Sequence, residues 1–244
     1  MNFDAIAGVA HEPAGAPVGT VLLTHGAGGS RESPLLIRIC DEWARRGWLA
    51  VRYNLPYRRR RPKGPPSGSA ATDQAGIVEA IELARGLGYG PVIAGGHSYG
   101  GRMTSMAAAT MRARNEPEEE PRHSAPAATM RARNEPEEEP GHSAPAPDGA
   151  GPDVLTLFSY PLHPPGKPER ARTEHLPRIT VPTVFTHGTA DPFGSMEELR
   201  AAAALVGGPT EIVEVTGARH DLGSKTLDVP KLAVDAALRL LDRP

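Results

Sequence analysis

The segment that most narrows how this chain can fold is Pro91–Ala94 (PVIA), because it runs straight into Gly95-Gly96-His97-Ser98-Tyr99-Gly100-Gly101 and then into the helix-compatible RMTSMAAA. A short apolar, β-branched run reads as a buried strand, and glycines on both sides of Ser98 let the backbone reverse sharply into a helix. A strand handed directly to a helix is the unit of a parallel sheet. Antiparallel hairpins have no use for it.

The rest of the chain repeats that alternation. Thr20–Thr24, Leu49–Tyr53, Val154–Phe158, Pro182–Thr186 and Glu211–Val215 read as further strands. Leu35–Arg46, Asp73–Leu87, Met196–Val206 and Lys231–Leu241 carry apolar residues at helical spacing. Strand alternating with helix predicts an α/β fold with a mainly parallel sheet covered by helices on both faces. Right-handed crossovers put the loops after the strands on one edge, which is where chemistry is expected. With 244 residues there is enough chain for one domain over 1–244 with a sizeable core.

One segment breaks the pattern. Ala108–Pro126 (AATMRARNEPEEEPRHSAP) is followed at once by Ala127–Pro145 (AATMRARNEPEEEPGHSAP), and the copies differ only at Arg122 and Gly141. Two units cannot stack into a solenoid. Rich in Pro and Glu and poor in large apolar side chains, the insertion over 108–146 is expected to be a solvated, flexible excursion.

Gly96-His97-Ser98-Tyr99-Gly100 matches G-x-S-x-G, a pattern whose weight comes from the strand before it and the helix after it. A serine on such a turn is held in a strained backbone conformation with its hydroxyl above the sheet. Together with THGAGG, GGHSYGGR, SYPLHPPGKP and HGTADPFGS, the elbow resembles the α/β-hydrolase superfamily. Within it, these segments are similar to the dienelactone-hydrolase-like branch that holds testis-expressed and NSL-complex-subunit-type proteins. The resemblance implies an α/β-hydrolase fold with a minimal cap and a nucleophile at Ser98. Dienelactone hydrolases proper use a cysteine there, whereas the single cysteine of this chain is Cys40, so the lactone activity does not carry over.

A serine hydroxyl needs a base, and the base needs an orienting acid. The fold implied by the resemblance supplies them in the order Ser, Asp or Glu, His. Among nine histidines, His220 in GARHD follows the last strand, where that fold places its base. Asp191 in HGTADPFG is the matching acid, although an Asp-Pro pair is also a common turn signal. Asp221 competes by adjacency, and Asp153 precedes its strand. The oxyanion of a tetrahedral intermediate would be held by the backbone N–H of Tyr99 and by an N–H from the glycine loop after the first strand, Ala27 or Gly28.

His25, Tyr160 and His163 are the candidate substrate-binding residues, the last two in the proline-stiffened YPLHPPGKP, which reads equally as a rigid connector. About 22 residues separate Phe158 from Val181, too few for a large cap, so a shallow site is expected. Arg58–Arg61 with Lys63 reads as a solvated basic loop.

The expected function is therefore a serine hydrolase acting on an ester, thioester or related acyl bond, with a non-catalytic binding or scaffold protein on the same fold as the alternative. No cofactor and no metal site is called for. The expected partner is a small acyl substrate. A net charge of −2 points away from nucleic acid and from a membrane surface. The lone cysteine, the N-terminus without a basic and apolar leader, and the lack of a run of roughly 20 apolar residues suggest a cytoplasmic location. Oligomeric state and substrate identity are not legible.

Overall fold

A computed structural model of the protein describes residues 3–66, 68–111 and 151–243. The tandem copies, beyond Met111, lie outside the described residues. Seven strands form one sheet: β1 (Gly8–His11), β2 (Thr20–Thr24), β3 (Leu49–Tyr53), β4 (Val92–His97), β5 (Val154–Phe158), β6 (Thr183–Gly188) and β7 (Thr210–Val215). Their spatial order is β1-β3-β2-β4-β5-β6-β7. Every pair is parallel except β1 with β3, where Gly8 faces Tyr53 and His11 faces Ala50.

The helices are α1 (Pro34–Arg45), α2 (Pro56–Arg60), α3 (Ala70–Gly86), α4 (Tyr99–Ala108), α5 (Met196–Ala203) and α6 (Val229–Leu241). They start where local chemistry lets them. Pro34 and Pro56 sit in the first turns of α1 and α2, where a missing N–H costs nothing. Ser195 and Glu198 close a capping box at α5, and the Asp228 carboxylate accepts from the Lys231 N–H at α6.

Strands β2, β3, β5 and β6 are buried along their whole length, as a sheet covered on both faces requires. One core packs Leu22, Val51, Ile77, Ile81, Met103 and Phe185 beneath α3 and α4. The other packs Leu23, Ile39, Trp43, Val184, Val234 and Leu240 beneath α1 and α6. Between β4 and β5 the sheet allows no side chain: a Cβ on Gly95 would stand 1.9 Å from the Thr156 carbonyl oxygen.

Five of the six parallel strands lie within a residue or two of where the apolar runs put them, and β4 runs on through the glycines to His97, three residues past Ala94. Two elements depart from the sequence reading. β1 is only half buried and carries no apolar run, because an edge strand needs one neighbour and one partly covered face. The basic run is not a solvated loop. Its first arginines form α2, and Arg58 is buried at 4% exposure.

Candidate active site

Ser98 sits between β4 and α4 at φ 51°, ψ −116°, outside the conformations a non-glycine residue adopts freely. Neighbouring backbone holds it there: its N–H donates to the Phe158 carbonyl at 2.8 Å, and its carbonyl accepts the Arg102 N–H at 2.9 Å. The flanking glycines are demanded by close approach to β2. A Cβ on Gly96 would meet the Thr24 carbonyl oxygen at 2.6 Å, and one on Gly100 the His25 carbonyl oxygen at 2.5 Å.

The structure brings Ser98, His220 and Asp191 together. Ser98 Oγ and His220 Nε2 are 2.8 Å apart. His220 Nδ1 is 2.8 Å from Asp191 Oδ2 and 3.0 Å from Oδ1. The carboxylate has no exposed side-chain surface, while the imidazole keeps 23%. Burial alone would raise the Asp191 pKa. The hydrogen bonds from His220 and from the Phe193 N–H (2.9 Å), with the charges of His220 and His187, outweigh it and hold the carboxyl below its ordinary value.

Two further residues, unmarked in the sequence reading, fix the imidazole. His97 Nε2 donates to the His220 carbonyl at 2.7 Å, and the Phe193 ring lies against the His220 ring at 4.2 Å between centroids. Asp221 takes no part in the chain of contacts; its carboxylate caps its own turn through the Gly223 N–H. Asp153 pairs with Arg85 at the opposite edge of the sheet.

A family model of the alpha/beta hydrolase domain matches residues 17–117 and 144–230. The chain belongs to the alpha/beta hydrolase family. Solved structures agree on the fold. Est1E from Butyrivibrio proteoclasticus superposes with a TM-score of 0.67 at 14% identity, covering 97% of this chain and 95% of that one. Dienelactone hydrolase from Anabaena variabilis gives 0.64 at 18% identity, covering 96% and 91%. A thermophilic esterase from Thermogutta terrifontis, with propionate bound, gives 0.58 at 21% identity, covering 96% and 86%.

In this α/β hydrolase the glycine loop after β2 is a tight turn. Gly29 N–H returns to the Gly26 carbonyl at 3.0 Å, and Gly28 has φ 79°, the sign that the third residue of a type II turn needs. Ala27 and Gly28 are exposed at its tip. The loop adjoins the elbow, since a Cβ on Gly26 would stand 3.4 Å from Ser98 Cβ. Tyr99 opens α4, so its N–H has no partner within the helix.

Residues of α2 and α3 hold this loop. Arg58 donates from Nε to the Gly29 carbonyl (2.6 Å) and from its terminal nitrogens to Gly64 (2.9 Å) and Arg61 (3.1 Å). The Tyr57 hydroxyl donates to the Gly26 carbonyl at 3.3 Å. Buried Asp73 accepts from the Tyr57 N–H (2.9 Å) and from the Tyr99 hydroxyl (2.8 Å), joining the loop support to the elbow. Burial first, and then the Asp73 carboxylate, raise the Tyr99 pKa, which keeps that hydroxyl a donor. The sequence reading marked none of these residues as support for the loop.

The candidate substrate residues are placed differently from the expectation. His25 is fully buried. Its Nδ1 donates to the Gly26 carbonyl (2.9 Å) and its Nε2 accepts the Leu55 N–H (3.3 Å), so the ring is neutral, and burial lowers its pKa to about 4. It braces the loop. Tyr160 is a core residue at 1% exposure, its ring edge on Phe185 and its hydroxyl donating to the Arg172 carbonyl at 3.0 Å. His163 is buried at 7%, donates from Nδ1 to the Pro164 carbonyl (2.8 Å) and faces Glu198 (3.3 Å). With Leu162, Ala171 and Leu205 it lines a cavity of about 340 Å³ beside α5. A polar residue at a strand end in a doubly covered sheet is as readily used to tie loops as to meet a ligand, and His25 and Tyr160 tie loops here.

No group of three or more His, Cys, Asp or Glu side chains among the described residues is arranged to hold a metal ion. No helix among them is long and apolar enough to cross a membrane.

Proposed function

We propose that the protein is a serine hydrolase that cleaves an ester, thioester or related acyl bond of a small molecule, with Ser98 as nucleophile, His220 as base and Asp191 as its orienting acid. The observation that carries this reading is the unbroken chain of contacts from Ser98 Oγ through both ring nitrogens of His220 to Asp191, each within 2.8–3.0 Å. Ser98 Oγ attacks the acyl carbon while its proton passes to His220 Nε2. The new oxyanion takes hydrogen bonds from the Tyr99 N–H and from the Ala27 or Gly28 N–H. The tetrahedral adduct collapses, the bond to the leaving group breaks, and His220 returns the proton to that group. Water then attacks the acyl-enzyme by the same route, with His220 as base, and releases the acid and Ser98. The steps use only these groups and water.

The test is hydrolysis of a short activated ester such as 4-nitrophenyl butyrate. S98A is expected to lose about a millionfold in kcat with the fold intact by circular dichroism. Undiminished turnover by that variant overturns the assignment.

A further inference from the structure

Beside the elbow, α4 and the segment after β5 flank an open pocket of about 400 Å³ lined by Arg102, Arg170 and Arg172, with Glu169, Glu174, Pro164 and Ala171. Two observations set it apart from an ordinary solvated surface. First, none of the three guanidiniums has a carboxylate partner among the described residues, and Glu169 and Glu174 make no ion pair with them. Among the described residues the Arg172 guanidinium makes one hydrogen bond, a long 3.5 Å contact to the Pro161 carbonyl. Second, Arg102 Nε is buried and has no hydrogen-bond partner among the described residues. A buried donor of a charged group left unsatisfied is costly, and three like charges around one cavity add repulsion. That repulsion acts on Arg172, whose pKa is lowered by burial and then by the charges of Arg102 and Arg170.

The position ties the cavity to the chemistry. Arg102 is one helical turn beyond Ser98, joined to it by the backbone bond from its N–H to the Ser98 carbonyl. One turn is about 5.4 Å along the axis, and helical side chains lean back toward the N-terminus, which here is the Ser98 end. The opposite wall grows out of the strand end whose Phe158 carbonyl accepts the Ser98 N–H.

We infer that this cavity binds an anionic group, a carboxylate or a phosphate, carried by the acyl substrate a few bonds from the carbonyl that Ser98 attacks. Arginine presents its donors in a planar fork that matches both anions. The inference rests on the hydrolase reading above and narrows its substrate class to anionic acyl compounds.

Three matched esters test it: 4-nitrophenyl hexanoate, the mono-4-nitrophenyl ester of adipic acid, and the 4-nitrophenyl ester of 6-phosphonohexanoic acid. The expected result is a kcat/KM for one or both anionic esters at least about tenfold above the neutral one, mainly through KM, as charge-assisted hydrogen bonds of this kind supply. The two anionic arms tell carboxylate from phosphate. R102Q and R172Q should each reduce that ratio about tenfold, whereas R178Q, outside the cavity, should keep it. Equal kcat/KM for all three esters, with labelling and turnover still dependent on Ser98, overturns the anion site and leaves the hydrolase reading standing. Turnover independent of Ser98 overturns the hydrolase reading instead. Calorimetric titration of S98A with monomethyl adipate and with 6-phosphonohexanoate reads the site without turnover. Saturable binding that is lost on adding R102Q is expected, and no binding of either, or binding unchanged by R102Q, contradicts the proposal.

Discussion

At the residue scale, the proposed mechanism divides one task between Asp191 and His220. The carboxylate is buried, accepts from Phe193 and His220, and is held below its ordinary pKa, so it stays ionised throughout the pH range in which a histidine base titrates. Fixing Nδ1 as the donor leaves Nε2 free for the proton that the proposed mechanism takes from Ser98. D191N would present an amide that can offer its N–H to Nδ1 and turn the tautomer over, and kcat is expected to fall by about 10,000-fold while the melting temperature moves little. Steady-state kinetics beside a thermal melt checks both halves. Ser98, Asp191 and His220 were readable from the chain because each lies in a short motif at a strand end. Phe193 and His97 were not. A ring against an imidazole and a donor to a main-chain carbonyl have no local signature; both depend on the loops after β4, β6 and β7 converging.

At the element scale, the informative piece is α2. A run of arginines after a strand reads as solvated, and a loop is its ordinary fate. Here Pro56 starts a helix, Tyr57 fills the space between the His25 and Tyr99 rings, and Arg58 is drawn inside by three carbonyl acceptors. Those carbonyls belong to turns whose geometry exists only in the folded chain, so composition could not have distinguished Arg58 from Arg60. The consequence is a glycine loop tied at its Gly26 and Gly29 carbonyls. R58Q should lower kcat for an activated ester by about tenfold to a hundredfold, with KM changed far less, because in the proposed mechanism the loop's N–H groups meet charge only in the transition state. D73N should do the same through Tyr57 and Tyr99. A KM effect equal to the kcat effect in both variants would show that α2 and α3 shape binding and not the oxyanion loop. The strands, by contrast, were legible nearly residue by residue, because a sheet covered on both faces leaves continuous apolar runs in the sequence. The edge strand β1 escaped for the converse reason.

At the scale of the whole molecule, two cores clamp a sheet whose centre is packed backbone to backbone. G95A places a methyl group where the Thr156 carbonyl already stands, and the β4–β5 pair that carries both Ser98 and Phe158 must part. A loss of about 2–3 kcal/mol in urea unfolding, with activity reduced as well, is expected. Acid should weaken the fold in a defined window. His25 and His175 are buried neutral with pKa values of about 4, burial being the main cause in each, against 6.5 unfolded. Between those values the unfolded chain binds more protons than the native one, so stability rises with pH there and is lost as pH falls from 6.5 toward 4. Asp191 acts in the same direction lower down, since its depressed pKa gives stability that disappears as the carboxyl protonates. Urea midpoints at pH 7, 5.5 and 4.5 should fall in that order; a flat profile would mean the two histidines are not buried neutral. All of this serves one hydroxyl at a strained turn. The most direct measurement is intact-mass and peptide mapping after exposure to a fluorophosphonate: one adduct per chain, on Ser98 and absent from S98A, is the predicted result, while an unlabelled native protein or an adduct on another residue would contradict the account.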